Sequence, residues 1–159
     1  MQFESMPVTE IERDVKDLLY YHLYEPWGVA QESDWLSGDD GGEFIVMRDD
    51  NGELLGTTRI MPPDRDTSGH PVPLISAGER RLRQVVVAPG QRGRGIGSAL
   101  MCTAEDRLRE LGVTRVGVAA RCEAYDFYHK CGYTKVGPEY ISPLTNIPHT
   151  HMSKELVRQ

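Results

Sequence analysis

The stretch LRQVVVAPGQRGRGIGSALM, Leu82 to Met101, decides how this chain is read. It opens as a strand on the β-branched run Val85-Val86-Val87. Ala88-Pro89-Gly90 breaks that run, and Arg92-Gly93-Arg94-Gly95-Ile96-Gly97-Ser98 leads into a helical pattern. Strand, glycine- and arginine-rich turn, helix is an order that makes an anion site. The first N–H groups of a helix lack intrahelical partners and lie at the positive end of its dipole. Glycines let a ligand come close to that backbone. The expected ligand is a phosphate group.

After Gly95, the residues Ile96, Ala99, Leu100, Thr103, Leu108 and Leu111 recur on one helical face, with Glu105, Asp106, Arg109 and Glu110 on the other. Gly112 is placed to stop this helix. Arg115 to Ala120 reads as the next strand. Ala124, Phe127, Tyr128 and Cys131 are spaced for a short helix ended by Gly132. Tyr133–Gly137 and His149–Leu156 read as the last strands, parted by a proline-containing loop at 138–148. Upstream, Phe3–Val8 reads as a strand. Thr9 and Glu12 form a capping box for a helix over residues 10–24 that carries Ile11, Val15, Leu18, Leu19 and His22 on its inner face. Residues 25–42 read as loop, with a short helix near 31–37. Glu43–Arg48, the turn Asp50-Asn51-Gly52 and Leu54–Met61 form a hairpin. A proline- and glycine-rich loop over 62–78 precedes the strand Glu79–Val87. The whole predicts an α/β chain whose mixed sheet combines hairpins with crossovers, and at 159 residues a single domain over 1–159.

Composition narrows the function. The formal net charge of −6 argues against a general nucleic-acid binder, so the arginines around position 92 are a local feature. No run approaches the 18 or so apolar residues that span a bilayer, and the opening MQFESMPVTE has no leader pattern. Cys102, Cys122 and Cys131 lack paired spacing and read as free thiols, which predicts a cytoplasmic protein.

Three phosphate-loop patterns compete for residues 88–98. A Walker loop requires a lysine after its glycines, and none is present. A dinucleotide fingerprint requires G-x-G-x-x-G tight against the strand; here the spacing is G-x-G-x-G, begun well after Val87. The remaining form, R-x-x-G-x-G, is filled by Arg92, Gly95 and Gly97. In this context VVVAPGQRGRGIGSALM (85–101) resembles motif A of the GCN5-related N-acetyltransferase (GNAT) superfamily. AYDFYHKCGY (124–133) resembles its motif B, and IPHTHM (147–152) is similar to the closing segment of the ElaA-like branch.

The resemblance implies a mostly antiparallel central sheet flanked by helices, with a splayed central strand pair. It implies acetyl-coenzyme A as co-substrate and no metal. The backbone from Arg92 through Gly93, Arg94, Gly95, Ile96 and Gly97 to Ser98 would hold the pyrophosphate, with Arg92 and Arg94 adding charge-assisted contacts. Val85, Val86 and Val87 would pair with the pantetheine arm, and the bulge-like Ala88-Pro89 would end that pairing. Val87 N–H would face the oxyanion. Tyr128 stands at the family's general-acid position. Base candidates are Glu79 and His149; a water relay would need no base residue. His151 shares a strand face with His149, but no carboxylate or cysteine stands at ligand spacing. Arg121 replaces an asparagine common in the family, so it either loses that contact or meets a phosphate or an acidic substrate. The acceptor implied is the amine of a small molecule or peptide, and homodimers are common in the family. Alternatives are another acyl-coenzyme A donor, a coenzyme A-binding module without turnover, or acylation of charged tRNA, which the acidic charge disfavours.

Overall fold

In the hairpin at residues 43–60, Asp49 Oδ1 accepts hydrogen bonds from the N–H groups of Asn51 and Glu53 at 2.8 and 3.0 Å, and Gly52 takes φ +83° to close the turn. A computed structural model describes residues 2–31, 42–63, 78–143 and 145–156. Most of the expected helix at 31–37 and of the loop at 62–78 lies outside the described residues. The strands are β1 (Gln2–Pro7), β2 (Glu43–Arg48), β3 (Leu54–Ile60), β4 (Glu79–Val87), β5 (Arg115–Arg121), β6 (Thr134–Lys135), β7 (Tyr140–Ile141) and β8 (Pro148–Glu155). The helices are α1 (Arg13–Leu23), α2 (Ile96–Glu110) and α3 (Tyr125–Lys130). The strands form one sheet in the order β1-β2-β3-β4-β5-β8-β6, with β7 also on β8. Every described pairing is antiparallel except β4 with β5. The α/β class and mixed, mostly antiparallel sheet are as expected.

Two apolar clusters hold the layers. α2 buries Leu100, Ala104 and Leu108 against Leu82, Val116, Val118 and Met152 on one face of the sheet. α1 buries Val15, Leu19 and Leu23 against Phe44, Val46 and Val86 on the other. Gly97 lets α2 and α3 approach closely: a Cβ there would stand 2.8 Å from Phe127 Cε1.

Four local expectations require correction. The Thr9–Glu12 capping box does not form; α1 starts at Arg13, after a 3-10 turn at Val8–Glu10. The Glu12 carboxylate is held instead by Arg48 at 3.1 Å, and Arg48 also grips Asp14 at 2.7 Å. Glu105 is buried rather than solvent-facing, because Tyr133 Oη and Lys154 Nζ donate to it at 2.9 and 2.8 Å. The last loop contains the extra strand β7. The bulge in β4 falls at Gln84, at φ +58°, rather than at Ala88-Pro89, and Ala88 N–H still bonds Leu55 O at 2.8 Å.

Candidate active site

β4 and β5 pair only from Glu79↔Arg115 to Leu82↔Val118. At Gln84 the bulge turns β4, while Gln84 Nε2 donates to Tyr24 Oη at 3.0 Å and ties the bend to the end of α1. Beyond this point the strands separate around a cleft of about 670 Å³. One wall is β4 from Arg83 to Val87, continuing into Gly93 and Gly95–Ser98; the other is Val118, Ala119 and Arg121 of β5. The splayed pair expected from the sequence is therefore present.

The glycine-rich turn meets the cleft at the start of α2. Gly93 and Gly95 take φ of +78° and +75°, and Gly95 is the N-cap. The first N–H groups of a 15-residue helix therefore face the cleft. Arg92 lines the cleft and bonds His22 Nε2. Burial, with the Arg92 charge, holds the His22 imidazole below its usual value. Arg94 is exposed at the rim, donating to Gln91 Oε1 at 2.7 Å, and is not part of the cleft wall.

Tyr128 is 6% exposed and lines the cleft from α3. Its ring is set edge-on between Phe127 and Tyr133, at 5.1 and 5.8 Å between centroids. Burial raises its hydroxyl far above the usual phenol value, so the group stays protonated. His149 lines the cleft from β8 and stacks on Tyr140 at 5.8 Å. Its Nδ1–H donates to Ile147 O at 2.8 Å, which makes Nε2 the acceptor nitrogen of the neutral ring. Burial lowers its pKa from 6.5, so the ring is neutral at pH 7.

Glu79, the other expected base, does not reach the cleft. It is buried at the far end of β4, with Oε2 2.7 Å from Arg81 Nε and 4.0 Å from His151 Nε2. His151, pushed down to about 4 by burial and then by Arg81, belongs to this layer and not to the cleft. Gly117 makes room for it: a Cβ there would lie 2.7 Å from His151 Nε2. Glu79→Ala is expected to cost about 3–5 kcal/mol in urea unfolding at pH 7, because it removes the carboxylate from a buried ion pair; a loss under about 1 kcal/mol would contradict the buried pair. No cysteine lines the cleft. Among the described residues no helix is long and apolar enough to cross a membrane.

Ser142 and Thr145 also line the cleft, as do Leu23, Tyr24 and Trp27. The proline-containing loop offered no sign of the first two.

Comparison with known proteins agrees with this architecture. The family model described as "Acetyltransferase (GNAT) family" matches residues 8–133. A UPF0039 protein, C11D3.02c of Schizosaccharomyces pombe, is 29% identical over 114 residues, 70% of this chain and 67% of that protein. The crystal structure of Escherichia coli ElaA superposes with a TM-score of 0.73 at 20% identity, covering 98% of this chain and all of that one. An aminoglycoside 6'-N-acetyltransferase complexed with coenzyme A superposes with a TM-score of 0.70 at 17% identity, covering 100% of this chain and 99% of that one. The chain belongs to the GNAT acetyltransferase family and is an acyltransferase.

Proposed function

We propose that this protein transfers an acetyl group from acetyl-coenzyme A to the amine of a small molecule or peptide. One observation carries the reading: the β4 edge left without a strand partner after Leu82 runs into a glycine-walled helix start, and Tyr128 and His149 line the same cleft. The residues fit coenzyme A. Val85–Val87 offer backbone to a pantetheine arm, and Gly93–Ser98 with Arg92 offer N–H groups and charge to a pyrophosphate. Arg94, at the rim, adds charge outside the wall.

When bound, the cofactor supplies an activated thioester. His149 Nε2 takes the proton of the attacking amine, Val87 N–H donates to the carbonyl oxygen as charge develops there, and Tyr128 Oη returns a proton to the sulfur. Glu79 has no part in this scheme. The reading takes residues 1–159 as one domain, active in the cytoplasm, as its exposed free thiols Cys102 and Cys122 favour, acting on amines rather than nucleic acid and pairing as a homodimer.

The test is thiol release from acetyl-coenzyme A across a panel of amines and amino-terminal peptides; no release with any acceptor, with coenzyme A bound, favours a binding module instead. The base assignment predicts a pH profile. His149 must be neutral to act, and its pKa lies below 6.5. kcat/KM should therefore be flat from neutral pH upward through the range where amines are accepted, and fall on an acid limb below pH 6.5. His149→Gln should remove that limb and lower the rate about 100-fold. An unchanged limb in the variant would exclude His149 as its source.

A further inference from the structure

The described part of the cleft wall is basic on an acidic chain. Among its described lining residues Arg83, Arg92 and Arg121 stand against a single carboxylate, Glu123. Arg121 is the informative one. Val116, Val118 and Ala120 pack under α2, whereas the space beside Gly117 is taken by His151 and Arg81 on the opposite face. Strand alternation puts Ala119 and Arg121 on that opposite face, away from α2. The side chain agrees, since Arg121 Nη2 donates to Leu23 O at 2.6 Å, at the end of α1. That bond uses one of five N–H donors. Among the described residues no carboxylate forms an ion pair with Arg121; Glu123 acts on it only at longer range. Arg121 is half-buried in the cleft wall, and this incomplete pairing leaves N–H groups and a charge that an anionic ligand would satisfy. The cross-strand register sets Arg121 directly opposite His149. Such partners have Cα atoms roughly 4.5–5.5 Å apart. An anion on Arg121 therefore sits beside the base, on the α1 side of the split sheet, while the glycine cradle lies at the start of α2.

We infer that the acceptor carries a carboxylate close to its amine, in the manner of an amino acid, and that Arg121 binds that carboxylate while His149 receives the amine proton. This rests on the acetyltransferase reading and narrows its acceptor. It assigns Arg121 to the acceptor rather than to the coenzyme A phosphates.

The test uses the full-length protein saturated with coenzyme A. Its melting temperature is followed with the twenty amino acids, each beside its carboxamide, and turnover is followed by thiol release from acetyl-coenzyme A. At least one acid is expected to raise the melting temperature and be acetylated, with its carboxamide weaker by about 10- to 100-fold. Arg121→Gln should raise KM for that acid by a similar factor, lower kcat less, and keep coenzyme A affinity within about two-fold. Arg121→Lys should recover part of the loss. The inference is overturned if no acid shifts the melting temperature, if acids and carboxamides perform alike, or if Arg121→Gln weakens coenzyme A instead. If coenzyme A itself gives no shift, the acetyltransferase reading has failed, and the two failures are distinct.

Discussion

Gly95→Glu is expected to abolish coenzyme A binding, a loss of more than about 100-fold in affinity. Two causes add. Gly95 holds φ +75°, where a side chain costs about 1–2 kcal/mol. The larger cause is charge: Gly95 is the N-cap of α2 and lines the cleft, so a carboxylate there would occupy the positive helix end and repel phosphates. Space is not the issue, since nothing lies within 4 Å of a Cβ at this position. Gly90→Ala is the control. It has the same kind of backbone strain, at φ +83°, but lies outside the cleft wall. It should lower the melting temperature slightly and keep coenzyme A affinity within about three-fold. Titration calorimetry on both variants separates strain from charge; equal affinity in Gly95→Glu and wild type would remove the cradle from the account.

Tyr128→Phe is expected to lower kcat about 100-fold or more while coenzyme A affinity changes less than about two-fold. The hydroxyl is protonated at neutral pH and lines the cleft, so it is available as a donor to a departing thiolate, while burial makes it a weaker acid than a free phenol. The ring is held between Phe127 and Tyr133, so the variant keeps its packing, and stability should change by less than about 1 kcal/mol. Single-turnover kinetics with acetyl-coenzyme A reads this directly. An unchanged kcat would leave Tyr128 as a core residue.

The cradle was legible because everything that makes it is local: a β-branched run, a proline, then glycines and arginines just ahead of a periodic helix. The hairpin was legible for the same reason, since Asp49 and Gly52 close it within a few residues. The opening of the sheet depends on Gln84 taking a left-handed backbone, which no local feature demands; its amide reaches Tyr24, sixty residues earlier in the chain. Glu79 read as a candidate base and Glu105 as a solvent-facing charge, because what surrounds each is placed by the fold. For Glu79 the partner is Arg81, two residues along the same strand, and what hides both is tertiary packing. For Glu105 the partners come from Tyr133 and Lys154. The Thr9–Glu12 cap failed in the same way, when Arg48 from β2 took the Glu12 carboxylate. Of the two base candidates, only His149 was carried by topology into the cleft.

We propose that the turn and helix start from Gly93 to Ser98, with the open edge of β4, form a coenzyme A site. The most direct measurement is a calorimetric titration of the wild-type protein with coenzyme A. Saturable one-to-one binding is expected in the range of about 1 μM to 1 mM, weakened by added salt. No saturable heat, and no rise in melting temperature, at several millimolar coenzyme A would contradict it.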